Sequence, residues 1–550
     1  MQTAAPERIA LFRKLGWWGD TTTWQLFEAA VEADPEGLAL LDPPNRESFT
    51  SGAPLRLSWS ELRQRALGFA ASLREEGIAR DDIVLMQLPN SVESIVAYLS
   101  CAALGAILSP VPMQYAGHEL GVIARKLRPR VYLGTANFKG EDLAARHAAL
   151  FDAGTRVLAL GPQGILPLAP GAVAPPVAVV SADDVFTICW TSGTTGTPKG
   201  VPRSHNQWLA QTLAVTETGV EPGMTMLCPF PMVNMASLSG FFFPWLRCRG
   251  TLALHHPLDL PVFLGQIEAE RVAYTIAPPA LLNMLLKQRE LMERFDLSSL
   301  RLVASGSAPL APWMVREFQQ EFGITVVNVF GSNEGMSLAS SGLDVPDPER
   351  RATLFPRFGV EGIEWSNSIS DRMRTRLVDP HSDTPITEPG QAGEMQIWGP
   401  NVIDGYFDAP EANEEVFSTD GFFRTGDMFE IAGSGEDSRY YRFVGRCKDI
   451  IVRGGMKISP DEIDTLLAGH PLLAEAAVCA YPDEMLGERI CVVAVPKPGA
   501  SVALQDIVGF LEERQLARIK LPEKLVLAEA LPRNPLGKLV RPALRELVAP

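Results

Sequence analysis

Apolar positions along the chain alternate between two patterns, helical spacing and short uninterrupted runs. Leu62, Ala66, Phe69 and Leu73 recur three or four residues apart, which predicts a helix with one buried face. Ser58 and Glu61 precede it at capping-box spacing, and Gly77 stands where a C-cap belongs. Residues 83–88 (IVLMQL) then read as a short buried strand, and residues 185–190 as another. Helix-then-strand alternation of this kind predicts an α/β fold of layered architecture with buried parallel strands. The uncharged apolar stretch 94–113 contains Gly105, Pro110 and Pro112, so it reads as a buried helix turning into a strand and not as a membrane span. A second uncharged stretch, 222–246, is broken by Pro229, Pro231 and Pro244 and is no better a span. Within it, Phe241-Phe242-Phe243-Pro244-Trp245 reads as helix core.

The pattern changes near the end. Beyond Cys447 lie about a hundred residues with their own periodicity, a typical size for a small domain. Residues 461–467 and 507–513 look helical, and 476–480 and 490–495 look like strands, enough for a small α+β domain. The predicted division is 1–447 and 448–550. The segment 161–176, rich in Pro, Gly and Ala, reads as a surface connection.

Composition narrows the functional classes. With 550 residues, two or more domains are expected, and 46% hydrophobic with 21% charged residues is a globular profile. A net charge of -16 repels phosphate backbones and anionic lipid, which argues against nucleic acid and membrane surfaces as partners. Seven cysteines lie far apart with no CxxC pair, as expected of reduced thiols in a cytoplasmic protein. The first twenty residues lack the long apolar core of a signal peptide.

Chemistry enters directly after the strand at 185–190, in Thr191-Ser192-Gly193-Thr194-Thr195-Gly196-Thr197-Pro198-Lys199-Gly200. Glycines let backbone N–H groups approach a polyphosphate closely. The hydroxyls of Thr191, Ser192, Thr194 and Thr195 add donors, and Lys199 adds positive charge. The spacing is not that of the Walker A loop.

This element resembles the phosphate-loop signature of the adenylate-forming superfamily, which includes acyl- and aryl-CoA synthetases, peptide-synthetase adenylation domains and beetle luciferases. Four further motifs follow in the family's order and cover nearly the whole chain. Asn328-Val329-Phe330-Gly331-Ser332-Asn333-Glu334 is similar to the family's aromatic-Gly-x-Thr-Glu element, with Asn333 where Thr is usual. The resemblance implies that Phe330 lies against adenine, with Asn328 and Gly331 beside the nucleotide, and that Glu334 and Thr191 help hold Mg²⁺ on the triphosphate. Upstream of this second motif, Ser305-Gly306-Ser307-Ala308-Pro309 resembles the loop that walls the adenine and the acid pocket, in addition to the four. Phe423-Arg424-Thr425-Gly426-Asp427 carries the family's ribose-binding aspartate, an ionised acceptor facing a diol. Gly445-Arg446-Cys447-Lys448-Asp449 and Gly454-Gly455 imply a ribose or phosphate contact from Arg446, a hinge at Lys448 and a glycine-lined channel for coenzyme A. Pro532 through Lys538 matches the C-terminal Pro-x-x-x-x-Gly-Lys element, with Lys538 as the catalytic lysine.

The resemblance thus implies a large multi-layer N-terminal domain with parallel sheets and a small mobile C-terminal one. It implies activation of a small-molecule carboxylic acid by Mg-ATP to an acyl-adenylate, then thioester formation with coenzyme A. The alternative acceptor is the phosphopantetheine arm of a carrier protein. By the same alignment Met232 takes the place of a pocket histidine found in many members, and Val233 the place of an asparagine that reads a ring hydroxyl in hydroxybenzoate ligases. Asn234, Gly331 and Ser332 complete the implied acid pocket. His205 reads as a local packing or hydrogen-bonding histidine.

Overall fold

The computed structural model describes all residues except 162–164, 166–173, 192–197, 336, 381, 454–455, 484, 515, 517, 535–536 and 549–550. The expected helix runs over Trp59–Glu75. Ser58 and Glu61 close the capping box, each side chain bonding the other's backbone N–H, and Leu62, Ala66, Phe69 and Leu73 all face inward. Gly77 then takes a left-handed φ of 85°, which turns the chain toward the strand Ile83–Gln87. The stretch read as a helix turning into a strand is Val92–Leu104 followed by Ile107–Pro110. Every residue of that helix is buried, which is why it shows no polar face. Among the described residues no helix is long and apolar enough to cross a membrane.

The described strands form four sheets. In the first, Arg156–Leu160, Val131–Thr135, Ile83–Gln87, Ile107–Pro110 and Val185–Thr191 run parallel, and Lys199–Ser204 closes the edge antiparallel. The second has six parallel inner strands, among them Leu302–Gly306 and Thr325–Gly331, flanked by antiparallel Ser337–Ser340 and Arg56–Ser58. Parallel strands need both faces covered. The largest core covers one face of each of these two sheets with the helices Thr23–Ala33, Trp59–Glu75 and Val92–Leu104 and the aromatic segment 241–245, and two further cores cover the opposite faces. Phe241, Phe242, Phe243 and Trp245 are fully buried, and Trp245 stacks on Trp59 at 4.9 Å. Each such ring contributes about 1.5–3 kcal/mol by leaving water.

The third sheet is wholly antiparallel and contains Phe423–Ile431 beside Tyr440–Arg446. Strand pairing changes after Arg446. A three-residue turn at 447–449 leads to Ile451–Arg453, the start of the last sheet. That sheet is built on the hairpin Leu473–Asp483 and Gly487–Pro496 and backed by Pro460–Leu467 and Leu504–Glu513. All four elements read from periodicity in this region are present. Most of the connection at 161–176 lies outside the described residues, but Ile165 corrects its reading as purely surface. Ile165 is fully buried in the largest core.

Candidate active site

Thr191 and Lys199 are register partners on the antiparallel pair Val185–Thr191 and Lys199–Ser204, so they close the loop between them. Ser192, Gly193, Thr194, Thr195 and Gly196 lie outside the described residues. The Lys199 Nζ sits 4.9 Å from the centre of the Tyr406 ring, a cation–π distance.

Two neighbouring parallel strands bring the next pieces. Ser305 pairs with Asn328 and Gly306 with Val329. Only glycine fits at 306, because a Cβ there would collide with the Val329 carbonyl oxygen. Ser307 holds a left-handed φ of 71°, a costly conformation for a side-chain-bearing residue that often marks functional loops. The Ser305 hydroxyl is buried and has no protein partner. Asn328 is placed differently from its expected neighbours. Its amide donates to the carbonyls of Arg351 (3.2 Å) and Ala352 (2.8 Å), so its polar end serves the fold. Phe330 is half-buried and packs among Phe355, Phe429 and Phe443. Gly331 at the strand end is exposed, and Ser332 is half-buried.

Asn333 is a local hub. Its Nδ2 donates to the Trp190 carbonyl (3.2 Å), its Oδ1 accepts from the Met235 N–H (2.8 Å), and its carbonyl accepts from Arg203 (2.9 Å). A polar side chain here joins the phosphate-loop strand to the segment carrying Met232. The adjacent Glu334 is buried and accepts from the Tyr406 hydroxyl at 3.0 Å.

Asp427 is buried next to exposed Arg446, whose Nε lies 3.1 Å from the Asp427 Oδ1. That oxygen has no hydrogen-bond partner of acceptable geometry. Burial pushes the Asp427 carboxyl up to about 6; Arg446 and Lys538 oppose the shift, and Glu334 and Asp461 add to it. Lys538 keeps an exposed face, yet crowding by protein lowers its ammonium below the ordinary value. Arg446 pushes the same way, while Glu334 and Asp427 oppose it. Lys538, Arg446, Asp427 and Glu334 are therefore electrostatic neighbours although they come from separate motifs.

The other expected positions divide. Met232 and Val233 are buried, Met232 in the largest core, where its N–H donates to Asn90 Oδ1 (3.0 Å) and its carbonyl accepts from Tyr98 (2.7 Å). Asn234 caps the short helix Met235–Ser237. Lys448 lies exposed in the turn between the third and fourth sheets. Gly454 and Gly455 lie outside the described residues. His205 is a packing histidine, as read. It is buried, stacks on Phe186, and bonds Thr23 through Nδ1, while burial lowers its pKa to about 4. The motif reading passed over Tyr406 and Arg203, whose contacts join distant segments and leave no local spacing signal.

The family model described as AMP-binding enzyme matches residues 27–407, and that of the AMP-binding enzyme C-terminal domain matches 462–538. The chain belongs to the AMP-binding enzymes, within the adenylate-forming superfamily. It is 31% identical over 540 residues to pyochelin synthase PchD of Pseudomonas aeruginosa, covering 96% of this chain and 93% of that one. It is 31% identical over 501 residues to indoleacetate–CoA ligase of Aromatoleum aromaticum, covering 90% and 93%. Among solved structures, ATP-bound MatB from Rhodopseudomonas palustris superposes with a TM-score of 0.78 at 27% identity, covering 96% of this chain and 99% of that one.

Proposed function

We propose that the chain activates a carboxylic acid with ATP as its acyl-adenylate and passes the acyl group to the thiol of coenzyme A. The observation that supports this best is the gathering of Lys538, Arg446, Asp427 and Glu334 in one electrostatic neighbourhood. In the first half-reaction a carboxylate oxygen attacks the α-phosphorus, the bond to the β-phosphate oxygen breaks, and pyrophosphate leaves. Two anions must approach, and negative charge moves onto the phosphoryl oxygens. The Lys538 ammonium meets that charge. The buried Oδ1 of Asp427, ion-paired with Arg446 but without a hydrogen bond of good geometry, fits a ribose hydroxyl, and Arg446 holds the carboxylate in place. Ser305 to Ser307, with Asn328, Phe330 and Gly331, form the adenine side in this reading. The loop Thr191, Ser192, Gly193, Thr194, Thr195, Gly196 and Lys199 holds the phosphates. A Mg²⁺ ion bound with the nucleotide would neutralise phosphate charge, and the carboxylate of Glu334 and the hydroxyl of Thr191 are oxygen donors of the kind it takes.

In the second half-reaction the thiolate attacks the activated carbonyl and AMP leaves. The units 1–447 and 448–550 turn about Lys448, so that Gly454 and Gly455 meet coenzyme A after Lys538 has served the first step. Met232, Val233, Asn234, Gly331 and Ser332 border the acid. The setting is cytoplasmic, in keeping with seven free cysteines.

A carrier-protein phosphopantetheine arm is the second acceptor. Similarity to a pyochelin synthase stands beside equal similarity to a CoA ligase. Pyrophosphate and AMP release, measured over a panel of acids with and without coenzyme A, tests both. Pyrophosphate release without CoA-dependent AMP turnover would move the assignment to the carrier-protein acceptor, and no pyrophosphate with any acid would remove both.

A further inference from the structure

Tyr406 touches both charged ends of the phosphate site. Its hydroxyl donates to Glu334 Oε1 at 3.0 Å, and the Lys199 ammonium sits 4.9 Å from its ring centre. The residue is buried, and its backbone is clamped. Its N–H donates to Asn413 Oδ1 at 2.7 Å, and Asn413 Nδ2 donates back to its carbonyl at 3.1 Å. The next residue, Phe407, donates its N–H to the Gly200 carbonyl at 2.8 Å, tying the loop to the strand that begins with Lys199. On the other side the Ile403 N–H donates to the Glu334 carbonyl at 3.0 Å.

The loop is also anchored from beneath. The fully buried Arg203 donates to the carbonyls of Asn401 (2.7 Å) and Asn333 (2.9 Å), and Gln207 donates to Val402 and Asp404. Arg8 reaches the carbonyls of Gly399 and Val402. The backbone that carries the ring is held on several sides, which fixes where the ring stands between its two partners. Its placement also has a chemical consequence. A lysine and a glutamate free to meet would pair and spend their charges on each other. The ring takes the ammonium on its face and gives the carboxylate a neutral donor, leaving lone pairs of Glu334 open.

We propose that Tyr406 is a positioning residue for adenylation, its hydroxyl aiming Glu334 at a divalent cation and its ring seating Lys199 toward the phosphates. This rests on the adenylation reading above. Two variants of the full chain separate the two contacts: Tyr406→Phe keeps the ring and removes the hydroxyl, and Tyr406→Leu removes both. Mn²⁺ binding in the presence of a non-hydrolysable ATP analogue, followed by electron paramagnetic resonance, reads the carboxylate without turnover. Tyr406→Phe is expected to weaken Mn²⁺ binding roughly 10-fold, the usual effect of losing a partner that orients a metal ligand. It should leave metal-free binding of the analogue, and thioester formation from a pre-made acyl-adenylate, within about 2-fold. Tyr406→Leu is expected to weaken metal-free analogue binding as well. Unchanged Mn²⁺ binding in a Tyr406→Phe chain that melts as the wild type does overturns the proposal, and so does equal loss in both half-reactions. If Tyr406→Leu does not fold, Tyr406→Phe decides alone. A wild type that releases no pyrophosphate with any acid refutes the adenylation reading instead, and the two binding measurements still judge Tyr406.

Discussion

Asp427 and Arg446 are register partners on adjacent antiparallel strands, yet one is buried and the other exposed. The guanidinium therefore compensates the carboxylate only in part, and the Asp427 carboxyl is pushed up to about 6 by burial. A ribose diol needs the ionised form as acceptor. The expected outcome is a kcat/KM for ATP that falls about tenfold per pH unit below 6, while Asp427→Asn is low and flat over the same range. The stability sign is opposite. A carboxyl whose folded pKa lies above its unfolded 3.8 penalises folding fully above about pH 6, and the penalty fades as pH falls through 6 toward 3.8. Asp427→Asn should thus gain roughly 1–3 kcal/mol at pH 8 and nothing at pH 4, read from denaturant midpoints. A variant no more stable at pH 8 than the wild type contradicts the burial argument.

Lys538 is tested by splitting the reaction. Lys538→Ala should reduce pyrophosphate release about 100-fold or more, the effect of removing one charge contact made in the transition state. Conversion of a pre-made acyl-adenylate to thioester should survive. Equal losses in the two assays would show that Lys538 acts on both steps or on folding.

Much of this arrangement was legible because its signals are local. The Ser58–Glu61 capping box and the strand ahead of the phosphate loop each sit within a few residues of sequence. Thr191 and Lys199 came from one continuous motif, and a hairpin register then placed them opposite each other. Tyr406 was not legible, since it meets Glu334 across 72 residues and no periodicity connects them. The bonds made by the Asn328 amide were not legible for a related reason. Whether its amide faces a ligand or the carbonyls of Arg351 and Ala352 depends on a helix that packs there, and the strand motif carries no trace of that helix.

The turn at 447–449 is closed by N–H groups of Asp449 and Ile450 donating to the Arg446 carbonyl at 2.9 and 3.1 Å. Proline at 448 leaves both bonds in place but fixes φ at the proposed hinge. Lys448→Pro is accordingly expected to keep pyrophosphate release near wild type and to slow thioester formation at least tenfold, followed by rapid quench with coenzyme A. Thioester formation at the wild-type rate would place the hinge elsewhere.

In the proposed function the acid borders the segment at 232–235, and its class follows from how that segment spends its polar groups. The Met232 N–H is taken by Asn90, its carbonyl by Tyr98, and the Met235 N–H by Asn333. The Asn234 amide oxygen accepts from the Ser237 N–H as a helix cap. Met232, Val233 and Met235 then present only apolar side chains, and a ring hydroxyl buried against them lacks a partner, at a cost of about 1–3 kcal/mol. Methionine adapts to bulky apolar shapes, whereas acetate removes little apolar area from water. In a panel assayed by pyrophosphate release, medium-sized aromatic or alicyclic acids without ring hydroxyls, or medium-chain acids, should exceed both acetate and 2,3-dihydroxybenzoate in kcat/KM. The margin over the hydroxylated acid should be roughly 5- to 150-fold, the same 1–3 kcal/mol expressed as a ratio. Val233→Asn should narrow that margin by supplying the missing partner. Acetate or dihydroxybenzoate as the best substrate would refute this account of the pocket while leaving the adenylation chemistry of Lys538 and Asp427 untouched.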